Sequence, residues 1–540
     1  MSSEGGNVFH SWKAIANYFD KSERTVRRWE SQEGLPVHRH QHQSAARIFA
    51  YQNELDVWFL SRAEHRQNLP NRTEKTLCMA LLPFDKFIDD PDSAFIADAL
   101  CEDIVADLSC LPGVTMISFS SSRQLTHSNE DPVRALTQLS VHYYIEGSFR
   151  LSGNTSRIQV RLIDLSTQRV VWSARYEEAG ANWQRSQQVI VAELINSLPL
   201  SAVSGSLPQS GVARFNNNVA WEYLHKARTE SLKWQPATIE RAILLLTSAD
   251  KLVGGSALIQ ANLGRVHLQL REAGLDCSEA PIAKVVNILR EISGSHPNAL
   301  FTLSLKAWLF YIRGEISSAV NTLKQVLQIN PNEPDALALI ANCYLLAGQP
   351  ALAKPFIDTL QIVDPLTPLS RCMPGYCSLM SGHHSAAVRP YEEMLVLDPS
   401  NAFARLFLVW VLAINGDTVR IEKVYEGFVA NQENSLTMKL ASVFRYTVQK
   451  QTFKLELDQS ERECAEVNGM LARFTAFAFA ATGERDKAIH WLAIAIELGF
   501  FPYTYMTQYD RFFRPWHDHE TMQALLENMK NRWLAFAAHN

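Results

Sequence analysis

The sequence predicts a multidomain protein, in which a small unit of short helices and a two-stranded ribbon precedes an α+β middle domain and an all-α solenoid of helical repeats. Length is the first reason, because 540 residues are too many for one hydrophobic core. Composition is the second, because 47% hydrophobic and 20% charged residues are typical of folded chains. Third, the hydrophobic periodicity changes after the polar segment 69–75 and again after a Ser, Gly and Pro-rich segment that ends at Gly211.

Charge and cysteine content narrow the function classes. The formal net charge of −5 gives the whole chain no attraction for nucleic acid, so any binding to DNA must be local. The start of the sequence lacks a basic region followed by an apolar run, and no later stretch reaches the roughly 18 apolar residues of a membrane span. We therefore expect a cytoplasmic protein. Eight cysteines without a CxxC pair predict reduced, mostly buried thiols.

Two short amphipathic helices are predicted near the start. In SWKAIANYF, Ser11 is placed to cap a helix with one apolar stripe. The stripe consists of Trp12, Ile15, Ala16 and Phe19. The segment DKS then breaks the helix, and Ser22 can cap a second one, ERTVRRWES, with Val26 and Trp29 pointing inward. Two helices joined by such a tight turn predict a helix-turn-helix.

The second helix carries Arg24, Arg27 and Arg28 on one face. A helix fits the major groove of DNA, where arginine can bond guanine edges or phosphates with two hydrogen bonds at once. The segment VHRHQHQSAARIFAY predicts a two-stranded wing, with Arg39 and Arg47 available for backbone phosphates. Six basic and three acidic residues between positions 21 and 50 leave a surplus of three positive charges. One copy should therefore bind DNA weakly and lose affinity as salt rises.

The stretch WKAIANYFDKSERTVRRWESQEGLPVHRH, with ARIFAYQNELDVWF after it, resembles the winged helix-turn-helix of MerR-like and excisionase-type DNA-binding domains. We place this domain at residues 8–66, and the resemblance implies that it contacts double-stranded DNA. The implied DNA-binding residues are Ser22, Arg24, Thr25, Arg27, Arg28, Arg39 and Arg47. The sequence departs from MerR-type regulators in lacking the long dimerising helix that follows this module. The alternative is that the arginines form a solvated face without a ligand.

Residues 75–200 predict an α+β domain. TLCMALLPF and GVTMISF are strand-like and flank the helical pattern DSAFIADALCEDIVADLSCL, while DPVRALTQLS predicts a further helix. Three antiparallel strands and a closing helix follow, which gives the order βαβαβββα on a mixed sheet. The passage resembles the α+β domain related to the TolB amino-terminal domain. The resemblance implies a place between a DNA-binding head and a repeat tail of a bacterial regulator.

Candidate catalytic and metal-binding groups are few. Five carboxylates lie near one another in the sequence: Asp89, Asp90, Asp92, Glu102 and Asp103. We expect them to be solvated acids of a loop and a helix start, where the helix dipole favours negative charge. The alternate histidines His38, His40 and His42 have a spacing that can ligate zinc, but we expect no metal there. Because the phosphate-loop, GxGxxG and HExxH motifs are missing, the sequence predicts no enzyme and no cofactor.

Residues 212–535 predict helical repeats with a period of 34 residues. Three residue types keep this period: Pro297, Pro331, Pro365 and Pro399; Gly314, Gly348, Gly382 and Gly416; Ala319, Ala353 and Ala387. The pattern, seen in NPNEPDALALIANCYLLAGQPALAKPFIDTLQIVDP, resembles tetratricopeptide (TPR) repeats. The resemblance implies four regular units over about 300–433, degenerate flanking units, and a concave groove for a protein or peptide. Candidate groove residues are Tyr311, Asn342, Tyr344 and Arg405.

Together these patterns predict a bacterial-type DNA-binding transcription regulator. Its repeats would bind or sense a partner, or join two copies into a homodimer. One alternative is a non-catalytic interaction scaffold, which predicts no salt-dependent affinity for DNA. Another is a signalling protein that shares the middle domain and the repeats with cyclase-associated proteins.

Overall fold

In a computed structural model, the chain divides into two compact units, Met1–Lys75 and Thr76–Asn540. The structure describes residues 8–19, 22–33, 35–40, 47–51, 55, 76–86, 91–127, 131–152, 155–179, 183–198, 217–233, 235–430 and 435–539. Among these residues, we find no helix with both the length and the apolar character needed to cross a membrane.

The first unit contains two short helices and a small antiparallel sheet. The helices α1 (Trp12–Tyr18) and α2 (Glu23–Glu33) lie where the sequence predicts helices. The strands are β1 (Val8–Phe9), β2 (His38–His40) and β3 (Arg47–Tyr51), in the order β1-β3-β2. β2 and β3 form an antiparallel ribbon, and β1 is a third strand that the sequence did not predict. The closing helix predicted for residues 51–62 lies almost wholly outside the described residues.

Local hydrogen bonds explain where these helices begin. The Ser11 hydroxyl accepts a hydrogen bond from the Ala14 backbone N–H at 3.1 Å, and the Ser22 hydroxyl accepts one from the Thr25 N–H at 3.2 Å. Between the helices and the sheet lies a small core of Ile15, Ala16, Val26, Leu35, Ala50 and Leu55. Because Val26 is fully buried in this core, the inward side of α2 is fixed.

The second unit begins with a mixed sheet. Its strands are β4 (Leu77–Leu81), β5 (Asp85–Lys86), β6 (Val114–Met116), β7 (Tyr143–Ser152), β8 (Thr155–Asp164) and β9 (Arg169–Ala179). The order is β6-β4-β7-β8-β9, and β5 pairs with β7. β4 runs parallel to β6 and β7, whereas β7, β8 and β9 are antiparallel neighbours. The predicted mixed sheet is therefore confirmed.

Four helices accompany this sheet. They are α3 (Pro91–Ser109), α4 (Phe119–His127), α5 (Pro132–Gln138) and α6 (Trp183–Ser197). The sequence predicted three of them and missed α4, whose segment FSSSRQLTH is too polar to show an apolar stripe. Its inner face contains the apolar Phe119 and Leu125 but also the buried Ser121 and Ser122, so its hydrophobic pattern is weak.

Helical pairs fill the rest of the second unit. The first helices are α7 (Asn218–Ser231), α8 (Pro236–Val253), α9 (Ala257–Glu272), α10 (Ala280–Ser295), α11 (Leu300–Ile312), α12 (Ile316–Ile329), α13 (Pro334–Leu346), α14 (Pro350–Val363) and α15 (Pro368–Met380). The others are α16 (Val388–Leu397), α17 (Ala402–Asn415), α18 (Thr418–Ala430), α19 (Leu436–Val448), α20 (Gln459–Val467), α21 (Gly469–Thr482), α22 (Arg485–Glu497) and α23 (Glu520–His539). The pairs α11/α12, α13/α14, α15/α16 and α17/α18 are the four regular units predicted from the 34-residue period.

The sheet and the first repeat helices share one hydrophobic core. It contains Ile104 of α3 and Leu194 of α6 together with Trp221 of α7 and Leu246 of α8. Hydrogen bonds also join later repeats to the α+β part. The buried Asn332 side chain donates to the carbonyls of Ser109 at 3.0 Å and Val114 at 2.9 Å. The α+β part and the repeats therefore fold against each other as one compact unit.

The C-terminal segment (residues 498–516) runs across the turns of successive helical pairs. The Phe501 N–H donates to the Leu346 carbonyl at 3.0 Å, at the end of α13. Farther along, Arg511 donates to the Ile414 carbonyl at 2.7 Å, at the end of α17. In α23, the indole N–H of Trp533 points to the Gly348 carbonyl at 3.4 Å. The chain thus covers one edge of its own repeat array.

One prediction about the cysteines is wrong. Cys277, in the loop between α9 and α10, forms a disulfide bond with Cys464 of α20. No local sequence pattern indicates the pair, because the two residues are 187 positions apart. The other six cysteines form no disulfide bond and are mostly buried, as predicted.

Candidate DNA-binding surface

The outer side of α2 presents two arginines to solvent. Arg24 and Arg27 are exposed, whereas Val26 between them is fully buried in the core of the first unit. Because the helix is fixed by its buried side, its arginine-bearing side points outward. An exposed, basic helix face of this kind can enter a major groove and bond base edges or phosphates.

Contacts within the first unit orient Arg27. Its guanidinium carbon lies 5.0 Å from the ring centre of Trp12, and its Nη2 lies 3.9 Å from the Glu23 carboxylate. The ion pair is weak, because the Arg27 side chain is 59% exposed and water screens the charges. A phosphate could therefore replace Glu23 as the partner of Arg27. Sequence analysis missed both Trp12 and Glu23 here, although the spacing of four residues between Glu23 and Arg27 was a signal.

Ser22 and Thr25 organise the first turn of α2. Their hydroxyl oxygens lie 2.8 Å apart, and the Ser22 oxygen also caps the helix. Both residues lie at a helix N-terminus, a position that favours a phosphate oxygen. In this structure the two hydroxyls form hydrogen bonds within the first turn of α2. Their predicted contact with DNA stays a prediction.

The remaining predicted residues are in α2 and the ribbon. Arg28 belongs to α2, and the antiparallel register of the ribbon pairs Arg39 with Ile48 and His40 with Arg47. All seven predicted DNA-binding residues therefore lie in the first unit. His38 stacks against Phe49, with ring centres 5.1 Å apart, and His42 lies outside the described residues. In the described part of the chain, no group of three or more His, Cys, Asp or Glu side chains could hold a metal ion.

The residues predicted to line the repeat groove are engaged within the chain. Tyr344 is 1% exposed, and its ring contacts Phe356 and Phe536. The Arg405 guanidinium donates to the Val424 carbonyl at 3.3 Å. Two further groove candidates, Tyr311 and Asn342, are both partly buried, and burial raises the pKa of Tyr311. Because Tyr344 is buried, the prediction that it faces a ligand groove is wrong, whereas the same prediction for Arg405, Tyr311 and Asn342 stays a prediction.

The expectation that Asp103 is solvated is also wrong. Asp103 is 2% exposed and accepts a hydrogen bond from Trp221 Nε1 at 2.9 Å. His225 Nε2 lies 3.3 Å from Asp103, and His225 Nδ1 lies 3.2 Å from Glu102, whose side chain is 44% exposed. Burial lowers the pKa of His225, but the two carboxylates outweigh burial and raise it to about 9. This cluster is an ion pair that joins α3 to α7. Of the other acids considered, Asp89 and Asp90 lie outside the described residues.

Two family models match parts of the second unit. Residues 74–193 match the model described as the HilA/YgeH-like transcriptional regulator, second domain. Residues 311–369 match a tetratricopeptide repeat model. The TPR prediction is therefore confirmed for the central repeats, while the resemblance of the middle part to the TolB amino-terminal domain stays a prediction.

Known proteins resemble this chain over part of its length. "Putative adenylate cyclase 3" of Rhizobium meliloti (strain 1021) is 25% identical over 236 residues, which is 43% of this chain. The matched region spans 40% of that relative.

Two solved structures resemble this chain over part of its length. A tetratricopeptide repeat protein from Parabacteroides merdae is 14% identical and covers 52% of this chain and 100% of its own, with a TM-score of 0.31. The human IFIT1 dimer with PPP-AAAA is 15% identical and covers 59% of this chain and 70% of its own, with a TM-score of 0.36. Both scores are too low to support a functional argument. The family matches therefore show similarity to a HilA/YgeH-like transcriptional-regulator second domain over residues 74–193 and to TPR repeats over residues 311–369.

Proposed function

We propose that the chain is a DNA-binding transcription regulator of bacterial type, with a winged helix-turn-helix domain at residues 8–66 that binds double-stranded DNA. The observation that carries this proposal is the exposed pair Arg24 and Arg27 on α2, whose other side is fixed by the buried Val26. The match of residues 74–193 to a transcriptional-regulator domain supports the proposal from a different part of the chain. Arg28, Arg39 and Arg47 complete the proposed basic surface.

The repeats have a separate role in this proposal. The repeats, at residues 212–535, bind a protein or peptide partner. They share a hydrophobic core with the α+β domain at residues 75–200. Since the DNA-binding unit has a surplus of only three positive charges between residues 21 and 50, one copy binds DNA weakly. A homodimer would place two such units on one DNA molecule and raise the affinity through effective concentration. We propose that the protein acts in the cytoplasm.

Removing the arginines of α2 should weaken DNA binding strongly. In the full chain, a variant with Arg24→Ala, Arg27→Ala and Arg28→Ala is expected to bind a labelled random duplex at least about 100-fold more weakly than the wild type. The reason is that three charge-assisted contacts to phosphates or bases are lost together. Fluorescence anisotropy at low salt measures this change.

A control variant with the same change in net charge tests whether the loss of DNA binding is specific to the α2 surface. Arg169, Arg389 and Arg485 are exposed arginines of the second unit, and their triple alanine variant also changes the formal charge from −5 to −8. We expect the control to bind DNA within about twofold of the wild type, because these three arginines are not among the residues proposed to contact DNA. Equal losses in both variants would contradict the α2 surface. No DNA binding by the wild type would instead favour the non-catalytic scaffold.

A further inference from the structure

Cys277 and Cys464 form the disulfide bond that joins an early repeat to a late one. Their Cα atoms lie 5.1 Å apart, within the range that permits a disulfide. We propose that this pair is a reversible oxidation site, which opens and closes with the thiol–disulfide balance of the surroundings. The proposal concerns the second unit and stands independently of DNA binding.

Contacts other than the disulfide hold Cys277 in place. The buried guanidinium of Arg271 donates hydrogen bonds to the carbonyls of Cys277 at 2.5 Å and Ser278 at 2.6 Å. It also forms an ion pair with Glu279 at 2.9 Å. The loop that carries Cys277 is therefore fixed to the end of α9 by the protein itself.

A second set of contacts holds Cys464 beside this loop. The side chain of Asn468, which follows α20, donates to the Glu272 carbonyl at 2.8 Å and accepts from the Leu471 N–H at 3.1 Å. It thus ties the junction of α20 and α21 to the end of α9. Because both cysteines are positioned by such bonds, their sulfur atoms stay near each other after reduction. Nearby thiols re-form a disulfide readily, which is what a reversible site requires.

Partial exposure together with a neighbouring cysteine distinguishes this pair from the other described cysteines. Cys277 and Cys464 are both partly exposed, so a small thiol or disulfide can reach them. Cys343 is fully buried, and burial raises the pKa of its thiol. Cys110 and Cys377 are partly exposed, but burial raises the pKa of each thiol to about 11, so few thiolates form at neutral pH. Oxidation is therefore directed to the Cys277–Cys464 pair.

The oxidant is a small disulfide such as glutathione disulfide. The thiolate of one cysteine attacks the small disulfide, forms a mixed disulfide and releases one small thiol. The second cysteine then attacks the mixed disulfide, forms the Cys277–Cys464 bond and releases the second small thiol. The protein loses two electrons and two protons, and the small disulfide gains them. Excess small thiol reverses both steps.

Closing the bond has a structural consequence for the repeats. It cross-links residues 187 positions apart, and the segment between them contains all four regular helical pairs, α11 to α18. A cross-link over so long a loop restricts the unfolded chain and any wide opening of the array. The oxidised protein should therefore melt at a higher temperature than the reduced protein.

The test follows thiol accessibility and melting of the full chain equilibrated with glutathione and glutathione disulfide at several ratios. Native alkylation with a maleimide-polyethylene glycol should add two labels to the reduced wild type at Cys277 and Cys464, and lose both as the disulfide fraction rises. Oxidation should raise the Tm by about 5 °C. Dithiothreitol should restore both labels and the lower Tm.

Cysteine variants test whether the loss of labelling and the rise in Tm come from the Cys277–Cys464 pair. Cys277→Ser and Cys464→Ser should each add one label when reduced and form only a mixed disulfide with glutathione when oxidised, and neither should show the Tm rise. Cys377→Ser, which changes another partly exposed cysteine, should behave as the wild type. The proposal is overturned if the wild type keeps both labels at every ratio, if dithiothreitol fails to open the bond, or if the Tm rise survives in both single variants.

Discussion

Replacing Gly348 with alanine is expected to destabilise the protein by about 2 kcal/mol more than the same replacement at Gly416. Both glycines end the first helix of a regular pair with a positive φ, +66° at Gly348 and +73° at Gly416. Alanine at either position therefore carries a left-handed backbone penalty of about 1 kcal/mol. The two sites differ in their surroundings, and this is why we expect the two variants to differ in stability.

The C-terminal segment explains the larger effect at Gly348. A Cβ atom added there would lie 2.6 Å from the Cα of Pro502, whereas one added at Gly416 meets none of the described atoms within 4 Å. Backbone cannot move aside as a flexible side chain can, so Gly348→Ala must displace the segment. The same crowding recurs at Gly314, where the Glu497 carbonyl would lie 2.6 Å away. The repeated glycine thus allows the positive φ of the turn. At Gly314 and Gly348 it also allows the C-terminal part of the chain to lie close to the turn.

Urea denaturation and limited proteolysis measure both parts of this prediction. Gly348→Ala should lower the denaturation midpoint more than Gly416→Ala and should expose residues 498–516 to protease. If the two variants have the same midpoint and the same cleavage pattern, the C-terminal segment does not stabilise the repeat array in the way described.

Replacing His225 with glutamine should destabilise the protein by about 3 kcal/mol at pH 7, because it leaves Asp103 buried without its cationic partner. The expected effect depends on pH. The folded protein raises the pKa of His225 to about 9, compared with about 6.5 in the unfolded chain. The stabilisation by the charged histidine is therefore fully present below about pH 6.5 and is lost as pH rises through about 9.

The variant measurement isolates this histidine from other groups that titrate at high pH. The difference in denaturation midpoint between the wild type and His225→Gln should be large at pH 7 and much smaller at pH 10. His490→Gln changes an exposed histidine and should match the wild type at both values. A wild-type-to-variant difference that stays constant from pH 7 to pH 10 would show that the ion pair between α3 and α7 contributes nothing.

Local and periodic features of the fold were predictable from the sequence. Helix caps such as Ser11 and Ser22 form hydrogen bonds with residues only three positions away. The glycines with a 34-residue period mark the turn that recurs in each helical pair. The family match to residues 311–369 confirms what that period predicted. These features were accessible because the physical cause and the sequence signal lie within one element or one repeat.

Features that depend on distant parts of the chain were not predictable. Asp103 looks like an ordinary helix acid until His225 and Trp221, more than a hundred residues later, are packed against it. Tyr344 fits a groove position by repeat pattern, but α23 returns to bury it. In the candidate DNA-binding surface, the arginines of α2 were identifiable from helical spacing, whereas the place of Trp12 beneath Arg27 required the tertiary structure.

The most direct test of DNA binding is the salt dependence of the wild-type full chain with a random duplex, measured by fluorescence anisotropy. If the basic residues of α2 and the ribbon neutralise phosphates, the logarithm of the binding constant should fall linearly with the logarithm of salt concentration. Three to five phosphate contacts give an expected slope of about −3 to −5. A slope near zero, or no binding at low salt, would contradict the account that the first unit binds DNA.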